Sequence, residues 1–310
     1  MFRWGRGNLA PSILAMRSFL RRREWEGWLY ILPYLLLWGT FIAWPVGYGI
    51  YLSLFDWNPI RGSRYVGLAN YVALFDDERF LNALTNTFKF VTMVVPLTLT
   101  VALTFALLLW FWRGSKILSN LAQAVFFSPY LLTVSVIAIT WRWFFDPDFG
   151  IVTAFCKTFH LACPKFLADP LWALPIIAFA TVWWLVGYRM IVFQAALGDI
   201  PQELFEVAKI DGVPFCQQFI RIILPLIKPS LLFSLVLTLI SAFRTFGQVL
   251  MMTGGGPGRA SEVLALYLYW NAFEYFRIGR AAAAGVVLLG LTLVLTLLGV
   301  KLLGLKSELQ

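Results

Sequence analysis

Six apolar runs, each long enough to cross a lipid bilayer, constrain this chain of 310 residues more than any other feature. A helix needs roughly 20 such residues to span a hydrocarbon core ~30 Å thick. The runs extend from Trp28 to Leu52, Asn86 to Trp112, Leu118 to Phe144, Pro170 to Leu197, Leu226 to Met252 and Ile278 to Leu303, and none carries a central acid. With 60% hydrophobic and only 13% charged residues, the chain is too apolar for a soluble α/β domain. Two-residue alternation over about ten positions, the mark of an outer-membrane barrel, is absent. The sequence therefore predicts an all-α, polytopic membrane protein with about six transmembrane helices.

Basic residues near helix ends are retained on the cytoplasmic side, so they set orientation. With the N-terminus inside, the inner segments hold Arg3, Arg6, Arg17, Arg21, Arg22, Arg23, Arg113, Lys116, Lys209, Arg221, Lys228, Lys301 and Lys306. The outer loops hold fewer: Arg61, Arg64, Arg79, Lys157, Lys165, Arg259, Arg277 and Arg280. The net charge of +9 reads as topology and contact with anionic lipid headgroups, not as nucleic-acid binding. Residues 1–27 form a basic cytoplasmic tail rather than a cleaved signal, because the apolar run that follows is too long for one. A single six-span transmembrane domain then covers 28–304, ahead of a short cytoplasmic tail at 305–310. The segment from Ser53 to Thr85 is expected to be ordered as short interfacial helices. Cys156 and Cys163 share one outer loop, where they form either a bridge or two free thiols, and Cys216 stands apart.

The inner loop at 198–225 is the most informative soluble stretch. Asp199 and Pro201 signal a helix start, Gly212 a left-handed stop, and Pro214 a second start that Pro225 interrupts. A first helix of about 11 residues, a glycine turn and a second helix make a compact cytoplasmic knob. The loop supplies Glu206-Val207-Ala208, Asp211-Gly212 and Ile222-Ile223-Leu224-Pro225. These resemble the EAA loop of importer-type ABC permeases, with Val207 departing from the usual Ala. Further stretches resemble the carbohydrate-uptake branch of that family, its MalF- and UgpA-like subunits: Ser53-Leu54-Phe55-Asp56-Trp57, Val66-Gly67-Leu68-Ala69-Asn70-Tyr71, Asn86-Thr87, Thr253-Gly254-Gly255-Gly256-Pro257, Tyr269 and Ala272-Phe273.

That resemblance implies a sugar-importing permease subunit in the cytoplasmic (inner) membrane of a bacterium or archaeon, with both termini cytoplasmic. It implies a second permease subunit, two separate ATPase subunits that hold ATP and Mg²⁺, and an extracytoplasmic solute-binding protein. Glu206, Val207, Ala208, Asp211, Gly212, Leu224 and Pro225 would dock the ATPase. Glycerol 3-phosphate or a related polyol is the alternative solute. No Gly-x-x-x-x-Gly-Lys-Ser/Thr occurs, and Gly254 to Gly258 is followed by Arg259, so the chain is not itself expected to be an ATPase, nor to bind a cofactor.

Substrate contacts are sought among polar residues inside the spans, because lipid penalises any that protein or water does not meet. Ser234, Thr238, Ser241, Thr245 and Gln248 recur at helical spacing in the fifth span, with Arg244 one turn before Gln248. They line a solute path or hold helices together. Arg189 lies deep in the fourth span and needs a partner or an aqueous cavity; Tyr188 and Asn86 complete the candidate pathway. Trp183, Trp184 and Tyr188 offer ring faces for sugar, or for packing and interface anchoring. The small residues from Gly279 to Gly285 allow close helix approach, with a partner permease in view. His160 has no companion ligands, so neither a metal site nor a catalytic centre is expected. An ion-coupled transporter would need acids inside the spans, which are missing.

Overall fold

The computed structural model describes residues 28–58, 62–112 and 114–302. The tails at 1–27 and 305–310, with Arg61, Arg113, Lys306 and the cluster Arg21 to Arg23, lie outside those residues. The chain divides into two compact units, Met1–Tyr51 and Leu52–Gln310.

Helix α1 (Trp28–Leu52) makes up nearly all the described part of the first unit. It loosens into a π turn at Gly39–Ala43, where the Trp44 N–H reaches back to the Gly39 carbonyl. Pro45 follows at once; it has no N–H to donate, and the wider turn accommodates that loss.

The second unit opens with an antiparallel hairpin, β1 (Phe55–Asn58) and β2 (Gly62–Tyr65), that sets Asp56 opposite Arg64. Short α2 (Ala69–Phe75) follows. Interfacial helices alone were expected between Ser53 and Thr85, so the hairpin corrects that reading. The segment from Gly62 to Tyr65 carries little hydropathy signal, and pairing with β1 decides its shape. The next span, α3 (Glu78–Trp110), begins about two turns before Asn86, because the Asp77 carboxylate accepts from the Arg79 N–H and caps the helix.

Both central spans expected to be continuous are broken. The third comprises α4 (Lys116–Phe127), a 3₁₀ turn at Ser128–Leu131 and α5 (Val134–Phe144), bent by 101°. Pro129 opens that turn, and Leu132 and Thr133 are extended. After α6 (Ile151–Thr158), the straight α7 (Ala173–Gly198) is the fourth span. Then come α8 (Gln202–Ile210) and α9 (Phe215–Leu226), followed at a 71° bend by α10 (Lys228–Phe243). The chain leaves helix at Arg244 to Phe246 and resumes in α11 (Gly247–Met252). Short α12 (Leu264–Tyr269) and the last span α13 (Ile278–Leu302) complete it. Among the described residues four helices are apolar and long enough to cross a membrane, and six if each bent pair is one span, which reconciles the six runs with the broken geometry.

The most extensive packing is α3 against α7. Phe90, Val94, Ile177, Met190 and Phe193 are fully enclosed in one core. Lipid tails are as apolar as these side chains, so close van der Waals contact rather than exclusion from water holds such helices together. Gly187 shows how close the approach is: a Cβ there would collide with the Phe126 carbonyl at the end of α4. A second core joins Leu74, Phe80, Leu264 and Tyr267 to Ala283 and Ala284 of α13. Ala283 and Ala284, among the small residues of α13, therefore serve packing inside the chain. Cys156 and Cys163 form a disulfide at the end of α6, and Cys216 is free and exposed.

Candidate functional site

The two broken spans meet where α11 packs against α5. Gly247 permits this, since a Cβ on it would lie 2.5 Å from a Val134 methyl. Between these elements, α7 and the end of α10 opens a cavity of about 730 Å³. Arg189, Ser241, Arg244, Thr245 and Gln248 all line it, together with Tyr130, Ser135, Thr181 and Trp184. Of the polar residues singled out in the fifth span, Ser241, Arg244, Thr245 and Gln248 are thus gathered around one space, although not on one helical face as their spacing implied, whereas Ser234 and Thr238 are buried away from it. The helix stops at Phe243, and Arg244 and Gln248 sit on either side of the break.

Geometry divides the stripe. Ser241 donates to the Leu237 carbonyl at 2.8 Å and Thr245 to the Ser241 carbonyl at 3.2 Å, so these hydroxyls are met within their own segment. Thr238 is fully buried; its hydroxyl donates to the Ser234 carbonyl and accepts from Arg189 Nε at 2.9 Å. Arg189 is only 3% exposed, lies against the Tyr188 ring at 5.0 Å, and makes no ion pair among the described residues. Tyr188 stands behind the wall, stacked on Tyr130 with centroids 4.8 Å apart. Trp184 donates to the Leu132 carbonyl at 3.2 Å, which fixes the ring beside the α4–α5 break. Trp183 packs edge-on against Trp141. Tyr130 and Thr181 were not anticipated as lining residues, and the one local signal for Tyr130 is the Ser128-Pro129 pair before it.

Asn86 is not brought to this cavity. It is buried, and its amide donates to the carbonyls of Arg259 and Glu262 at 3.1 Å each. It belongs to a clamp at the N-terminal end of α3, where Arg79 Nε contacts both Glu262 oxygens at 2.9 and 3.0 Å. Arg79 also donates to the Tyr275 hydroxyl at 2.8 Å, and Thr87 accepts from the Leu264 N–H. The segment that follows the Gly-rich stretch at 254–258 is thereby tied to α3. Tyr267 donates to Asp77, and burial followed by this carboxylate pushes its hydroxyl above the usual tyrosine range.

The knob is built by local rules. Helix α8 ends in a Schellman motif: Gly212 is left-handed at φ +68°, its N–H bonds the Lys209 carbonyl, and the Val213 N–H bonds the Ala208 carbonyl. Ala208 is buried, whereas Leu204, Val207 and Ile210 are exposed. Phe205 packs on Trp110 and Phe215 on Phe111, at 4.9 and 5.3 Å, anchoring both knob helices on the end of α3. The helix runs nine residues rather than about 11. Pro225 does not interrupt α9 as expected. A π turn at Phe219–Ile223 absorbs its missing donor, and the bend falls at Ile227 before Pro229.

Comparison with known proteins agrees with this architecture. The family described as "Binding-protein-dependent transport system inner membrane component" matches residues 66–303, and the chain belongs to that family of transport permeases. The sn-glycerol-3-phosphate transport system permease protein UgpA of Escherichia coli O157:H7 is 35% identical over 280 residues, covering 89% of this chain and 93% of that protein. The probable ABC transporter permease protein YurN of Bacillus subtilis (strain 168) is 33% identical over 282 residues, covering 87% and 95%. Among solved structures, a bacterial alginate ABC transporter in complex with an alginate pentasaccharide-bound periplasmic protein superposes with a TM-score of 0.79 at 25% identity, covering 90% of this chain and 93% of the matched one.

Proposed function

We propose that this chain is one permease subunit of an ATP-driven importer for sugars, that the 730 Å³ cavity is its share of the solute path, and that α8 couples it to separate ATPase subunits. One observation carries the reading: a cavity walled by membrane-spanning helices, with Arg189, Arg244 and Gln248 in its lining, and a rigid knob are linked through a single run of chain. Helix α8, the Gly212 turn, α9 and α10 follow one another without a long loop, and α10 ends at Arg244 in the cavity wall. A displacement of the knob then moves that wall as a rigid body. The exposed apolar residues Leu204, Val207 and Ile210, with Glu206 beside them, suit a groove on an ATPase.

In this reading ATP and Mg²⁺ belong to two ATPase partners, a second permease subunit completes the path, and an extracytoplasmic binding protein delivers solute. The knob and both termini face the cytoplasm. The 35% identity to permeases named for sn-glycerol 3-phosphate favours that polyol as a second reading of the solute.

The test is ATP-driven uptake by the assembled complex in proteoliposomes, comparing wild type with Glu206→Lys and Gly212→Pro. Lysine inverts the charge on the docking face, and proline cannot adopt the φ of +68°. ATP hydrolysis is expected to persist while solute accumulation falls by about tenfold or more, an uncoupling worth at least ~1.4 kcal/mol. Unchanged uptake in both variants would remove the coupling role.

A further inference from the structure

We infer that the solute crossing this cavity carries a negative charge, a phosphate or a carboxylate on a polyhydroxylated frame, and that Arg189 and Arg244 recognise it. The inference deepens the proposed pathway and rests on it. Two guanidinium groups line the cavity, and no acid lines it. Neither arginine forms an ion pair among the described residues. No nearby segment supplies an acid, since Asp and Glu are absent from 79–145, 170–198 and 212–261. Arg189 uses its Nε on Thr238, and its terminal nitrogens have no acceptor among the described residues. The ring of Tyr188 offsets part of that charge, while the exposed Arg244 side chain meets no partner among the described residues.

Gln248 supplies a second, independent observation. It is only 3% exposed and lines the same cavity, yet its amide makes no hydrogen bond among the described residues. Buried amides are normally paired, so one left open beside two uncompensated cations marks a place where a ligand supplies both acceptors and charge. A neutral sugar meets the amide and leaves the buried Arg189 cation poorly screened, whereas an anionic one satisfies the amide, Arg189 and the more exposed Arg244 together. The planar guanidinium forks suit the paired oxygens of carboxylate or phosphate.

The experiment reads the field inside the cavity. Gln248→Cys is placed in a Cys216→Ser background and assembled with the partner subunits in lipid nanodiscs. It is then modified with anionic 2-sulfonatoethyl or cationic 2-trimethylammonioethyl methanethiosulfonate, each rate normalised to that of a free thiol. The anionic reagent is expected to react faster by about tenfold, and Arg244→Gln to bring the two rates toward parity without lowering the melting temperature. Arg189→Lys, which keeps the charge, should preserve the preference. Slowing by glycerol 3-phosphate identifies phosphate and slowing by glucuronate identifies carboxylate, each measured against glycerol or glucose at equal concentration. Equal rates, or a preference for the cationic reagent, overturn the inference. If modification still blocks ATP-driven uptake in that case, the pathway stands without it; if neither reagent reacts, the pathway and the inference fall together.

Discussion

Arg79, at the N-terminal end of α3, and Arg189, within α7, are treated in opposite ways. Arg79 meets Glu262 with two of its nitrogens, adds the Tyr275 hydroxyl, and lies over the Tyr267 and Tyr275 rings. Its acid partner is 2% exposed, so the pair is a closed structural unit. Arg189, buried at least as deeply, has one neutral hydroxyl and one ring face. A fully paired arginine fixes loops to helices. On the inference drawn above, one without an acid partner beside a cavity is left for something outside the chain. The same contrast separates Asn86, whose amide holds the loop at 259–262, from Gln248, whose amide is open.

Removing one arm of the closed pair is the strongest way to break this comparison. Arg79→Ala strands the Glu262 carboxylate and should cost about 3–5 kcal/mol of stability, visible as early melting of the complex in detergent. Arg189→Gln, by contrast, loses one hydrogen bond from a cation to a neutral hydroxyl, about 1.5–3 kcal/mol, and should instead abolish transport. If Arg189→Gln melts as early as Arg79→Ala, the two arginines do not differ in kind.

Gln248→Ala sharpens the comparison at a smaller scale. Losing one hydrogen bond to solute, about 0.5–1.5 kcal/mol, should weaken uptake affinity by roughly 2- to 13-fold with melting unchanged. Asn86→Ala should show the reverse pattern, in which uptake falls only as folded protein falls. Normal affinity in Gln248→Ala would make the open amide incidental.

The smallest effect is expected at the Cys156–Cys163 disulfide, which joins positions only 7 apart at the end of α6. A ring that short contributes about 2 kcal/mol, confined to its own loop. Replacing both residues by serine should leave uptake within about twofold and shift only local hydrogen exchange. A larger loss would tie that loop to the cavity.

Much of the molecule is legible without coordinates because its rules are local. A bilayer demands a run of apolar residues, and six such runs are readable from hydropathy. The Gly212 stop is readable because only glycine takes φ +68° at no steric cost, and the hydrogen bonds of Lys209 and Ala208 follow from that turn. The start of α3 was also within reach, since Asp76-Asp77-Glu78 is a helix-start signal, but hydropathy drew the boundary eight residues late. Pro225 misled in the opposite direction. A proline signals an interruption, yet a single π turn upstream absorbed it.

What neighbours decide could not be read along the chain. The breaks at Leu132 and Arg244 arise where two spans fold toward each other, and a periodicity count runs straight through both. Whether a buried amide finds a carbonyl depends on elements far apart in sequence, as the contact of Asn86 with Glu262 illustrates. The sequence by itself determined the membrane class, the number of spans and the knob, because each follows from lipid thickness and backbone sterics acting over one or two turns. Only the tertiary structure decided which arginine is paired and which is open, because a charge is compensated by whatever the packed fold sets within a few ångströms of it.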